Sequence, residues 1–167
     1  MTSTTVYVGE EGNILEETPE NCKILKVENP ILTETDLLKI KNMKKPGFKV
    51  EQIPITYYKN TSLEKAIDRL FLEVDRAHKD GANIIILSDR DIDENHVPIP
   101  SLLAVSALQQ YLVRTKKPHG RGSYFGERGN PREVHHFATL LGIRRMCHQS
   151  LSGPRVHPFP HRIRNAG

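Results

Sequence analysis

Tryptophan is absent from this chain, cysteine occurs only at Cys22 and Cys147, and aromatic residues make up 6% of it. Each scarcity excludes something. Two widely separated cysteines cannot build the disulfide framework that small secreted domains rely on, and they fit free thiols in a reducing compartment. No stretch of about eighteen apolar residues occurs, so no membrane-spanning helix is expected. The opening MTSTTVYVGEEGN lacks a basic segment followed by an apolar one, so no secretory signal is expected, and cytoplasm is the expected location. Hydrophobic residues are 37% of the 167, which is thin for a self-sufficient α/β domain although the length suits one domain. Neither a nucleophile-elbow Gly-x-Ser-x-Gly nor a phosphate-cradling Gly-x4-Gly-Lys-Ser/Thr is present.

What is present is unevenly distributed. Residues 1–113 hold 13 Lys and Arg against 18 Asp and Glu, whereas residues 114–167 hold 11 against 2. A split of this kind suggests an acidic folded part followed by a basic tail. A nucleic-acid-binding module over residues 114–167 is the alternative function this charge raises. No aromatic platform or recognised nucleic-acid motif accompanies those basic residues, so nucleic acid is not the expected partner.

Hydrophobic periodicity predicts the regular elements. Thr5–Val8 is β-like, and Gly12-Asn13 marks a turn. A short helix is expected to start around Thr33–Asp36, with Leu37, Leu38 and Ile40 as its apolar side. Val50–Tyr58 reads as a strand, with Pro54 placing it at an edge or strand start. Thr61 with Glu64 three residues on forms a capping-box pattern. Leu63, Ala66, Ile67, Leu70, Phe71, Val74 and Ala77 then recur at helical spacing, and Asp80-Gly81 closes the helix. Ala82–Leu87 is an apolar run of strand length interrupted only by Asn83, the pattern of a strand covered on both faces. A further helix is predicted over Ser101–Arg114, with Leu102, Val105, Leu108 and Leu112 inward. Another opens at Pro131, with Val134, Phe137, Ala138 and Leu141 on one side. The β-α-β-α order implies an α/β class with a partial parallel β-α-β layer.

Two segments resist this pattern. His119–Gly129 carries four glycines and several charges without apolar alternation, and no strand is expected there. Beyond Gly142 the chain is rich in proline and without period, and a disordered basic tail over residues 143–167 is expected. Helices Ser101–Arg114 and Pro131–Leu141 would then lack two of the strands they need to cover.

Candidate sites are weak. Asp89, Asp91 and Asp93 occupy calcium-loop positions one, three and five, but no Gly stands at position six and Pro100 stands where a bidentate Glu is needed. Ser88, Asp89 and Arg90 follow the buried strand, at the carboxyl edge where α/β sheets bind ligands. They are the best candidates for a contact site, although a structural Asp–Arg pairing is favoured over a ligand site. His135 and His136 beside Glu133 are adjacent on a helix, hence about 100° apart, and cannot share a metal as an i, i+4 pair would. One is expected to face the core and the other the surface. Cys147, His148, His157 and His161 include one His-x3-His step with a lone upstream Cys, short of a structural zinc set. Cys22 has no apparent partner. No catalytic, cofactor-binding or metal residue is therefore expected.

The order LSDR at Leu87–Arg90, PIP-x-LLAV at Pro98–Val105 and REVHHFA-x-LLG at Arg132–Gly142 resembles the central domain of the large, glutamine-dependent glutamate synthase. Tyr7–Asn21 is similar to that family's Y-x-G-x-x-G-N-L-L-x-E-T-P-E-H. The resemblance covers about residues 5–118 and 131–142. It implies an incomplete central domain over residues 1–142, disrupted at 119–129, which links the glutamine-hydrolysing and flavin domains and is inactive alone. The FMN and 3Fe-4S cluster of the family belong to a domain this chain does not include. The implied partners are the remaining glutamate synthase domains and the small subunit, in glutamate biosynthesis and ammonia assimilation, an oxidoreductase activity.

The departures from the family coincide with the two irregular segments. A synonymous codon choice for Ile143–Gly153, read one base later, spells Tyr-Gly-Ala-Cys-Ala-Ile-Asn-Pro-Tyr-Leu-Ala, which resembles the family peptide following the same glycine. The equivalent reading of His119–Gly129 gives Thr-Ala-Val-Ala-Leu-Ile-Leu-Val-Asn-Gly, which resembles a family strand. Both segments are thus expected to be translated out of frame.

Overall fold

The computed structural model describes residues 5–9, 24–115, 123–127, 134–143 and 147–149. Its centre is β6, Ile84–Ser88, in which every residue is buried. Parallel neighbours flank this strand on both sides: β4 (Val50–Pro54), with Ile84 opposite Val50, and β8 (Ser123–Glu127), with Ile84 opposite Ser123. The sheet continues through β9 (Cys147–Gln149) to β3 (Ile31–Leu32), giving the order β3-β9-β8-β6-β4 with every pairing parallel.

Pleating sends alternate β6 side chains to opposite faces, and each face has its own cover. Ile85 and Leu87 meet α2 (Leu63–Lys79), α3 (Ser101–Arg114) and α4 (Val134–Ile143) through Leu70, Val74, Leu108 and Leu140. Ile84 and Ile86 meet α1 (Glu34–Lys41) through Leu37 and Ile40. The same face is covered by the antiparallel pair of β1 (Val6–Gly9) and β2 (Ile24–Val27), through Val8, Leu25 and Val27. The path β4–α2–β6–α3–β8–α4–β9 steps one way across the sheet with its helices in one core cluster. The connection from β3 to β4 runs back across the sheet, with α1 on the other face. Crossovers of a single hand require that reversal of direction and face to go together.

Local chemistry sets the ends. The Thr33 hydroxyl accepts from the Asp36 N–H at 3.2 Å and donates to its carboxylate at 2.7 Å, capping α1. The cap of α2 is Ser62, whose oxygen accepts from the Lys65 N–H at 3.5 Å, so the box predicted from Thr61 lies one residue too early. The Thr61 N–H is committed to a turn, donating to the Tyr58 carbonyl at 2.7 Å. Gly81, with φ 86°, turns the chain from the end of α2 toward β6, a left-handed geometry that disfavours a side chain.

Several expectations need correction. The Val50–Tyr58 stretch is divided: β4 ends at Pro54, and β5 (Thr56–Tyr58) pairs antiparallel with β7 (His96–Pro98) in a separate ribbon. On α1, Leu38 faces solvent while Leu37 and Ile40 are buried. On α3, Ala104 takes the inward place expected of Leu102. On α4, Val134 is 81% exposed and Leu140 is the buried residue. Gly142 lies inside that helix.

The larger correction is β8. A strand occupies Ser123–Glu127, where none was expected, and β9 occupies Cys147–Gln149 within the expected irregular tail. A parallel ladder is built from backbone groups, and β6 has a second edge whose N–H and C=O groups need partners. Tyr124-Phe125 supplies strand propensity that the surrounding glycines obscured. The remaining residues of the expected tail, 144–146 and 150–167, lie outside the described residues.

The core makes an internal contrast testable. Leu70 is fully buried between α2 and the sheet, whereas Leu72 on the same helix is 69% exposed. Leu70→Ala should cost roughly 2–5 kcal/mol, as large-to-small core changes do. Leu72→Ala should stay within about 0.5 kcal/mol. Urea denaturation of the two variants measures the difference, and equal midpoints would mean that this face is not packed.

Candidate functional site

Ser88, Asp89 and Arg90 sit where the sequence placed them, at the carboxyl end of the central strand. The Ser88 carbonyl accepts from the Ile55 N–H at 2.8 Å, and its hydroxyl accepts from the Arg90 N–H at 3.3 Å. Asp89 is buried, and Arg90 reaches across to α1, its Nη2 lying 3.2 Å from Glu34 Oε1. This pair ties the end of β6 to the start of α1.

Beyond these residues the loop leads into the β5–β7 ribbon, and the Asp93 side chain holds the chain in place. Asp93 Oδ1 accepts from the Asn95 N–H at 2.7 Å and the His96 N–H at 2.8 Å, while its Oδ2 lies 2.9 Å from His96 Nδ1. Both carboxylate oxygens are thus engaged by the start of β7. Among the described residues no group of three or more His, Cys, Asp or Glu side chains could hold a metal ion.

The ribbon has a second anchor that sequence reading missed. Arg69 Nη2 on α2 donates to the Thr56 carbonyl at 2.6 Å and the Pro54 carbonyl at 3.5 Å, and Arg69 Nε lies 3.5 Å from Glu73 Oε1. Tyr58 and His96 stand opposite each other, rings edge to face with centroids 5.6 Å apart. The available signals were the Asp-x-x-His step at Asp93–His96 and the aromatic pair Tyr57-Tyr58. On the helix layer, Tyr111 stacks on Phe71 at 4.2 Å and its hydroxyl donates to Asp75 Oδ2 at 2.7 Å, joining α3 to α2.

The remaining candidates do not converge. His135 and His136 are both exposed on α4, correcting the expectation that one faces the core. The two are the first turn of a helix whose buried contact is Leu140, near its other end. Glu133, Cys22, His157 and His161 lie outside the described residues, and Cys147 and His148 are placed only as backbone in β9. Of the basic residues in 114–167, Arg114 alone lies within the described residues. No described helix is long and apolar enough to cross a membrane.

The arrangement defines a class: an α/β domain on a parallel sheet, at whose carboxyl edge Ser88, Arg90 and Asp93 bond within the fold. Comparison with known proteins agrees with that class and narrows it. Residues 1–144 match the glutamate synthase central domain. The chain is 36% identical over 142 residues to the NADPH glutamate synthase large chain of Bacillus subtilis, covering 85% of this chain and 9% of that one. It is 38% identical over 145 residues to the NADH glutamate synthase of Schizosaccharomyces pombe, covering 84% and 7%. To the chloroplastic ferredoxin-dependent glutamate synthase of Spinacia oleracea it is 32% identical over 149 residues, covering 84% and 9%. The chain belongs to the glutamate synthase central domain family. It spans less than a tenth of the length of these relatives.

The Asp93 turn predicts a pH response. The His96 side chain, followed by the Asn95 N–H, holds the Asp93 carboxyl below its ordinary value of 3.8. A depressed acid stabilises the fold while it is ionised. The contribution is therefore complete above pH 3.8 and is lost as pH falls through the folded-state value. The protection of the His96 amide against hydrogen exchange, relative to its intrinsic rate, should fall below that point, and Asp93→Ala should lower it likewise at neutral pH. Unchanged protection in the variant would show that the turn is held by something else.

Proposed function

We propose that residues 1–142 serve as the central domain of a glutamate synthase large chain, a structural connector between the glutamine-hydrolysing and flavin-bearing domains. The domain performs no chemistry of its own. The observation that carries this reading is the family match over residues 1–144, beside which the Ser88 and Asp93 side chains at the carboxyl edge bond to backbone and to His96. FMN and the 3Fe-4S cluster would reside in a domain elsewhere in the parent enzyme. The partners would be that enzyme's other domains and its small subunit, in the cytoplasm. The relatives named above are NADPH, NADH and ferredoxin enzymes, so the resemblance does not choose an electron donor.

Residues 119–129 and 143–167 belong to the proposal as well. The family match ends at residue 144, one residue past the point where the shifted reading begins. In this account the basic character of the C-terminal third arises from the frame in which it is read, and has no nucleic-acid function. The coding nucleotides decide. They should contain the two family-like peptides one base out of register at His119–Gly129 and Ile143–Gly153. Codons that spell neither peptide in another frame would remove the idea.

The purified chain should show no glutamine- or 2-oxoglutarate-dependent turnover and should contain no flavin. Stoichiometric flavin, or glutamate formation by the isolated chain, would overturn the connector reading. Affinity for RNA or DNA that falls steeply with salt, and vanishes when residues 119–167 are removed, would favour the nucleic-acid alternative.

A further inference from the structure

Among the described residues the sheet order β3-β9-β8-β6-β4 stops at β4, the edge position that Pro54 marks in the sequence. Two hydrogen bonds fix which way each backbone group of β4 points. The Ile84 N–H donates to the Lys49 carbonyl at 3.2 Å, and the Ile55 N–H donates to the Ser88 carbonyl at 2.8 Å. With Val50 opposite Ile84, the residues whose backbone bonds to β6 are Lys49, Glu51, Ile53 and Ile55. The N–H and C=O groups of Val50 and Gln52 therefore point away from the sheet. Outward groups of this kind are a template for another strand.

The template is short and closed at both ends. Pro54 has no N–H, and its carbonyl lies 3.5 Å from Arg69 Nη2. The Phe48 N–H is committed to the Lys45 carbonyl at 3.1 Å. Between these ends Lys49, Glu51 and Gln52 are exposed and Val50 is half-buried. Lys49 and Glu51, two residues apart, share one face of the strand. Lys49 Nζ donates to the Asp80 carbonyl at 2.5 Å, and an ammonium has further donors for a carboxylate.

Charges on an edge strand ordinarily repel a partner strand. Here they are opposite in sign, and antiparallel reversal turns Lys-Val-Glu into Glu-Val-Lys. A two-fold axis at Val50 lets the two Val50 residues exchange N–H···O bonds. Glu51 of each copy then faces Lys49 of the other, in the non-hydrogen-bonded pairs where side chains come closest. An axis at Glu51 would satisfy the Val50 and Gln52 backbone but set Glu51 against Glu51. An axis at Gln52 would direct the Val50 N–H to the Pro54 carbonyl, which Arg69 already engages.

We propose that β4 is a self-association edge. A second copy of this chain adds its own β4 antiparallel about a two-fold axis at Val50, with Lys49 and Glu51 of one copy paired to Glu51 and Lys49 of the other. The contact is isologous, so it closes at the dimer. It does not rest on the connector reading of the preceding section.

Sedimentation velocity of the purified full chain over a wide concentration range should show a reversible monomer–dimer equilibrium. Hydrogen exchange in the same samples should show the Val50 amide gaining protection as the dimer fraction rises. Glu51→Lys should weaken association about tenfold, because two ion pairs become two like-charge contacts. Lys49→Glu should do the same, and an equimolar mixture of the two variants should associate again, since each then supplies the charges the other lacks. If Lys49→Glu fails to fold, Glu51→Gln at its exposed position decides: it should loosen the dimer, whereas an axis at Glu51 would make it tighter. A chain that stays monomeric throughout, a dimer whose Val50 amide gains no protection, or a dimer tightened by Glu51→Gln would each overturn the proposal. Growth beyond the dimer would overturn the closed two-fold contact.

Discussion

The whole arrangement depends on burying one short strand from both sides. Ile84 and Ile86 point to the face covered by α1 and the β1–β2 pair, Ile85 and Leu87 to the face covered by α2, α3 and α4. Each fully buried aliphatic side chain contributes roughly 1.5–3 kcal/mol, so these four are comparable with the whole margin of a typical domain. A strand with no polar face cannot sit at the surface, and it must also pair along both edges. The need for two covering layers and two flanking strands follows from one apolar run.

That constraint sends polar side chains to the two ends of β6, Asn83 bonding Lys49 and Gly47 before its start and Ser88 bonding Arg90 at its close. Side chains along β6 are unavailable for function, and groups that could meet a ligand begin where the strand stops. In this chain the groups there serve the fold: Ser88 receives the chain at Ile55, Arg90 reaches α1, and Asp93 organises the start of β7. The ribbon is tied to this edge by the Ile55 N–H on the Ser88 carbonyl and to α2 by Arg69 on the Thr56 carbonyl.

The helices show how much of this was legible from periodicity. The α3 boundaries agree with the spacing of apolar residues, and the buried face of α2 is the one the three- and four-residue steps outlined. Errors arose where one residue type can serve two roles. Ser62 and Thr61 are both good caps, and the turn from Tyr58 to Thr61 selected between them. Leu102 and Ala104 both fit an inward position on α3, and the small residue lies inward. Exposed His135 and His136 look like half of a buried pair only if α4 is packed along its whole length.

By itself the sequence determined the class of the fold, the central strand and the two helices beside it, because an apolar run and a helical stripe each admit few solutions in water. Its motif order also established the resemblance that the family match confirms. Tertiary structure alone decided where β8 and β9 lie, since a parallel ladder recruits backbone and asks little of the side chains that periodicity reads. It also decided the division of Val50–Tyr58 between sheet and ribbon. The hydrogen bonds from Ile55 to Ser88 and from Ile99 to Ile55 link residues far apart in the chain, and no local pattern announces them.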